Sequence, residues 1–297
     1  MEYINLTEDL TFSRVLLGFW RWKEWGLGAN QLDALVKNAM DEGITTFDHA
    51  NIYDKGNPET AFGEFLSKNP SLRDQIQIVT KCTIVYPSET VKVKYYDSTY
   101  EHIVTEVEQS LRRLHIENSD LHLLHRPDPL MDPSEVARAF SDLQKAGKVR
   151  HFGVSNYTPE YFDMLSSYLE TPLVTNQIEV SVLQHENFDN HAIANAMMHR
   201  IHPIVWSPLA GGRIFSGESP DENRVRTALE DIRKQIGADT IDEVAFAWLY
   251  THPSGMMPIT GSCEMEYVRR PISALQYRLS NEQWFTIWSA CTGRRVP

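Results

Sequence analysis

"TYEHIVTEVEQSLRRLHIENSDLHLLHRPD", residues 99–128, holds two periodicities back to back. In its first half Ile103, Val107, Leu111 and Leu114 recur at the spacing that lines one face of a helix. In its second half "LHLLHR", residues 121–126, is a short apolar run of strand length that ends on His125 and Arg126. A helix feeding a buried strand is half of a βαβ unit. The same unit recurs along the chain. Strands are expected at "VLLGFW" (15–20), "TTFD" (45–48), "IQIVTK" (76–81) and "LHLLHR". Four more are expected at "RHFGVS" (150–155), "VTNQIEV" (174–180), "HPIVWS" (202–207) and "MMPIT" (256–260). Amphipathic stretches such as "NQLDALVKNAMDEG" and "DPSEVARAFSDLQKAGK" lie between them, the latter with an acidic start and a glycine stop. Eight strands each followed by a helix predict an α/β fold, a (β/α)8 TIM barrel, in a single domain over residues 1–297. The first ten residues and the segment after Ser280 are additions to it. There "NEQWFTIWSAC" predicts a C-terminal closing helix with Trp284 and Trp288 at helical spacing.

Composition narrows the class. With 297 residues, 42% hydrophobic and 23% charged, the chain has material for a sizeable core. A net charge of -12 argues against nucleic-acid or anionic-membrane surfaces. No apolar run approaches a spanning helix, and "MEYINLTEDL" lacks the regions of a signal peptide. Cys82, Cys263 and Cys291 are odd in number and dispersed, which fits a reducing cytoplasm rather than a disulfide framework.

In a barrel of this kind the chemistry sits at the C-terminal strand ends. Those ends carry Asp48 and Tyr53, Lys81, His125, Ser155 and Asn156, Gln177, Trp206 and Ser207, then Gly261 and Ser262. A structural set would be apolar or turn-forming. Here an acid, a phenol, an ammonium and an imidazole face one mouth. A phenol is a poor acid near neutrality, and a neighbouring Lys81 is expected to lower its pKa, with Asp48 holding the lysine charged. His125 is positioned to hydrogen-bond a carbonyl oxygen. Donation of a proton to an oxygen gaining negative charge is what carbonyl reduction requires.

The motifs "FDHANIY", "IVTKC", "SLRRLHIENSDLHLLHRPD", "GKVRHFGVSNYTP", "TNQIEVS", "WSPLAGGR" and "PITGS" resemble those of the aldo-keto reductases, in order and over nearly the whole chain. The stretch from "RPDPLMDPSEVA" to "GKVRHFGVSN" and the "DHA" variant resemble the bacterial YdhF-like oxidoreductases in particular. The resemblance implies reduction of aldehyde or ketone carbonyls with NADP(H). Tyr53 would be the general acid, Lys81 its partner, Asp48 the counter-ion and His125 the group orienting the substrate oxygen. It further implies that Ser155, Asn156 and Gln177 hold the nicotinamide carboxamide and that Trp206 stacks on the ring. Ser207, Leu209, Gly211, Gly212 and Arg213 would follow the pyrophosphate, and Gly261 and Ser262 the adenosine end. The chain departs from the pattern at His49 and Asp54, where threonine and glycine are common. It departs again at Gly261 and Tyr267, where a lysine or arginine usually meets phosphate.

Other features have plainer readings. An odd separation puts His122 and His125 on opposite strand faces, so no metal pair is expected. Cys82 should turn away from Lys81 into the core. His185, His191, His199 and His202 are expected at the surface. "GLG" at 26–28 is a turn. Trp20, Tyr86 and Tyr96 are the expected substrate-lining residues, the two tyrosines on the long excursion 83–98. The expected partner is a small carbonyl compound, with no obligate protein partner. The alternative function is a redox-sensing NADP(H)-binding subunit resembling the channel β-subunits of the same fold.

Overall fold

The computed structural model describes residues 1–296. Eight parallel strands close a barrel in chain order: β1 (Leu16–Gly18), β2 (Thr46–Asp48), β3 (Gln77–Cys82) and β4 (Ser119–Leu124), followed by β5 (Val149–Ser155), β6 (Leu173–Glu179), β7 (Ile204–Trp206) and β8 (Met257–Thr260). The ring closes where β8 pairs with β1, Ile259 opposite Leu16 and Thr260 opposite Leu17. Every residue of β4 is buried, because one face meets the lumen and the other the helices. Such strands therefore read as apolar runs.

The helix Tyr100–Leu114 turns Ile103, Val107, Leu111 and Leu114 inward. Thr99 starts it by accepting the His102 N–H, and its last turn carries Arg112 and Arg113. Asn57–Lys68 packs against it so closely that a Cβ on Gly63 would stand 2.1 Å from the Arg113 carbonyl oxygen. Glycine is required there by contact rather than by conformation.

The amino-terminal segment does more than precede the barrel. Tyr3–Asn5 pairs antiparallel with Thr11–Ser13, and Leu10 and Phe12 join Leu16, Val79, Leu121, Val174 and Ile204 in one buried cluster. The hairpin thus plugs the lumen at the end where the strands begin, leaving the opposite end for the site. At the other terminus Asn281–Thr292 lies on the outer ring, where Trp284 stacks on Trp248 at 4.7 Å. Each indole N–H donates to the other residue's carbonyl.

His185 departs from its expected surface position. It is buried, stacked at 4.2 Å on Trp288 and at 5.6 Å on Trp248, and burial lowers its imidazole to about 4. The cause is the terminal helix, which brings Trp288 onto a residue 103 positions earlier in the chain. His191, His199 and His202 are exposed or half-buried.

Candidate active site

β2 and β3 place the central pair. Both residues point into the lumen from adjacent strands, and Lys81 Nζ stands 2.8 and 2.7 Å from the two oxygens of Asp48. The same nitrogen donates to the His49 carbonyl at 2.7 Å and lies 3.1 Å from the Tyr53 hydroxyl. Lys81 is fully buried and Asp48 nearly so. Gln177, from across the barrel, donates its amide N–H to Asp48 Oδ1 at 2.9 Å. One ammonium is thus fixed by three acceptors and presented to a phenol.

Tyr53 follows β2 on a tight turn. Asp54 and Lys55 take φ of 38° and 59°, a left-handed conformation that costs a side-chain-bearing residue roughly 1–2 kcal/mol. Asp54 is held there by a hydrogen bond from Asn57 at 2.9 Å. The departure from glycine is therefore accommodated locally. His49, the other departure, points away from the cavity: its ring stacks on Phe19 at 4.4 Å and meets the edge of Phe62. Burial, with the Lys81 charge adding, lowers it to about 3, so it is a neutral core side chain.

The expected lowering of the Tyr53 pKa by Lys81 is not the net result in this structure. Burial pushes the phenol well above 10, the Asp48 charge adds to it, and Arg126 is the cation that opposes them. Lys81 is itself pulled down by burial, against the attraction of Asp48. Burial is the largest cause, and Lys81, which meets both Asp48 oxygens, does not offset it. Tyr53 consequently keeps its proton at neutral pH. The His125 imidazole is pushed well below its ordinary range by burial, with Lys81, Arg126 and Lys94 adding. It lies edge-on to Tyr53 at 5.9 Å as a neutral ring.

Asp48, Tyr53 and His125 line a cavity of about 480 Å³, the size of a small-molecule site, with Lys81 buried behind them. Ser155 donates to the Gln177 carbonyl at 2.9 Å and accepts from Asn156 at 2.8 Å. Asn156 in turn accepts the Trp206 indole N–H at 3.0 Å. This chain fixes the amide-bearing wall and the indole plane together. Asn156 and Ser207 both have positive φ, at 62° and 50°. The loop after β7 turns through Gly211 and Gly212 at φ of 66° and 97°, with open space where a Cβ would stand. Backbone that can be approached this closely, beside amide and hydroxyl donors, fits a dinucleotide's pyrophosphate and carboxamide. Leu209, Gly261 and Ser262 also line the cavity.

Several expected residues sit elsewhere. Arg213 is not in the cavity lining; it pairs with Glu222 at 3.2 Å and donates to the Ala210 carbonyl. Tyr86 and Tyr96 belong to a small hairpin, Ile84–Val85 with Tyr95–Tyr96, outside the lining. Trp20 does line it, 61% exposed and edge-on to Tyr53 at 5.2 Å. Cys82 is buried against the helix layer and its thiol is pushed up by burial. Among the described residues no cluster of His, Cys, Asp or Glu is arranged to hold a metal ion. Arg126, Arg21, Phe215 and Asp242 line the cavity and were not singled out from the sequence. Only Arg126 had a signal there, a charge directly after a strand-end histidine.

A barrel whose floor combines a buried Asp–Lys pair, a tyrosine and a histidine belongs to a definable class. The model of the Aldo/keto reductase family matches residues 14–291, and the chain belongs to that family. It is 47% identical to the oxidoreductase YcsN of Bacillus subtilis, with all of both chains covered. It is 40% identical to the oxidoreductase YdhF of Escherichia coli over 96% of each chain. The glycerol dehydrogenase AKR11B4 of Gluconobacter oxydans has the same fold at a TM-score of 0.85 and 23% identity, covering 99% of this chain and 97% of that one. Carbonyl reduction with a nicotinamide cofactor follows from this membership. No helix among the described residues is long and apolar enough to cross a membrane.

Proposed function

We propose that the chain is a reductase of aldehydes and ketones in which Tyr53 is the proton donor. When bound, the nicotinamide cofactor supplies the hydride that reaches the carbonyl carbon. Everything else is the work of the chain. Tyr53 gives its hydroxyl proton to the carbonyl oxygen as that oxygen gains charge. Lys81, 3.1 Å away, stabilises the phenolate left behind, and Asp48 keeps Lys81 oriented. Neutral His125 donates a hydrogen bond to the same oxygen. Ser155, Asn156 and Gln177 would bind the carboxamide, and Trp206 the ring face.

The observation carrying this reading is the single buried Lys81 ammonium, shared between both oxygens of Asp48 and the hydroxyl of Tyr53, two residues that line the cavity. A stability-only ion pair would have no reason to present itself to a phenol that faces open space.

The finer assignments are also proposals. NADP(H) is the proposed dinucleotide, on the strength of the family resemblance. Trp20, Tyr86 and Tyr96 are assigned to substrate and its approach. The working unit is a single domain over residues 1–297, and free, dispersed cysteines support a reducing cytoplasm.

Incubation with NADPH and a panel of aldehydes, diketones and quinones tests the function. Oxidation of cofactor above the rate without enzyme is expected for at least one class. No turnover across the panel would contradict it.

A further inference from the structure

The cavity contains a cation that is unpaired among the described residues. Arg126 directly follows His125 after β4, is half-buried, and lines the same cavity. Its guanidinium stands 5.6 Å from the centre of the Trp206 ring. It makes no ion pair and no hydrogen bond among the described residues. Arg21 in the same wall, and Arg213 outside it, differ. Arg21 pairs with Glu24 and reaches the Gly211 carbonyl, and Arg213 pairs with Glu222.

The nearby carboxylates are not available to it. Asp48 is held by Lys81 and Gln177. Glu179, at the end of β6, feels Arg126 but forms no ion pair with it, and burial pushes its carboxyl up. A second cation approaches from the excursion after β3, where Lys94 lies 5.1 Å over the Tyr86 ring without a carboxylate partner. The charges of Arg126 and Lys94 both reach His125. The entrance to the proton donor is therefore locally cationic in a protein of net charge -12. Partly desolvating a guanidinium with no acceptor is unfavourable, and stacking on an indole recovers only part of that cost. A structural arginine would be paired; one held open beside the reacting groups awaits an acceptor from outside.

We propose that Arg126 makes this site select carbonyl compounds that carry a carboxylate a few bonds from the reacting carbon. The inference rests on the reductase reading above and adds the substrate's charge. The planar guanidinium suits a carboxylate's two oxygens, and it stands over the Trp206 ring at 5.6 Å from its centre.

Near-isosteric aldehydes test it: 4-formylbenzoate against 4-formylbenzamide, each with NADPH at low salt. Wild-type kcat/KM should favour the carboxylate, and Arg126→Gln should cut that ratio roughly 10–100-fold, the usual worth of a charge-assisted contact. Arg126→Lys should keep part of the preference. The same ratio in wild type and Arg126→Gln would overturn the proposal. So would a loss of NADPH affinity larger than the change in ratio, since the guanidinium would then serve the cofactor. If neither aldehyde is reduced, the wider panel above decides the reductase reading separately. Calorimetric titration of benzoate into the protein with NADP+ then decides the anion site alone. Binding at least tenfold tighter to wild type than to Arg126→Gln supports it, and equal binding refutes it.

Discussion

Replacing Lys81 by Met removes the ammonium and keeps a chain of similar length in a fully buried position. Asp48, 2% exposed, then keeps only the Gln177 amide at 2.9 Å in place of an ammonium that reached both its oxygens. Breaking a buried ion pair from one side costs about 3–5 kcal/mol, most of it the penalty of the orphaned charge. Lys81→Met should therefore lower the free energy of unfolding by that amount, read as an earlier urea midpoint at an unchanged slope. Asp48→Asn should be destabilising as well, since it leaves the buried ammonium with neutral acceptors and no counter-charge. The double variant removes both charges and should fall well short of the sum, with a coupling of about 2–3 kcal/mol. Urea unfolding of the four proteins, followed by far-ultraviolet circular dichroism, gives the cycle. Costs that add to within about 0.5 kcal/mol would show the pair to be uncoupled and would refute the reasoning. The cycle bears on catalysis because the same coupling holds the ammonium beside the phenol.

Acid should destabilise the fold. His49 and His122 are fully buried and lowered to about 3, so above the unfolded value near 6.5 they add no pH dependence. From pH 6.5 down toward 3 the unfolded chain takes up protons that the folded one refuses. Stability should fall by about 1.4 kcal/mol per pH unit for each. Urea midpoints between pH 7 and 4.5 measure the slope, and His49→Phe should reduce it by one proton. Tyr53, raised above 10, should keep the reductive kcat/KM level from pH 7 to 9; a fall centred near 8 would mean that another group controls the proton. Trp206, fixed by Asn156 at 3.0 Å, should account for most of the indole fluorescence quenched by NADP+. Equal quenching in Trp206→Leu would move the stacking ring elsewhere.

The fold was legible because a parallel barrel buries its strands on both faces. Runs such as "LHLLHR" and "RHFGVS" therefore stand out between amphipathic helices, and the observed strands fall within two residues of the expected limits. The polar strand ends were legible for the converse reason: Asp48, Lys81 and Gln177 have no place in a lumen unless they meet one another. What stayed hidden depended on packing. The amino-terminal hairpin looked like a mere extension, because its role as a plug depends on where Leu10 and Phe12 land. His185 looked superficial because its burial is completed by Trp288 of the terminal helix. The direction of the Tyr53 pKa follows from burial and from the Asp48 charge, and neither effect shows in a list of strand ends. Arg126 was visible, but its lack of a partner was not.

The central claim is that Tyr53 donates the proton. Tyr53→Phe removes one oxygen and keeps the ring that meets Trp20 and His125, so packing and cofactor affinity should change little. The decisive measurement is the single-turnover rate of carbonyl reduction by wild type and Tyr53→Phe, with the NADPH dissociation constant measured on both. General acid catalysis is typically worth about 10²–10⁴ in rate. The account predicts a loss on that scale with a dissociation constant within a few-fold of wild type. A Tyr53→Phe enzyme that retains most of the wild-type rate on a good substrate would contradict it.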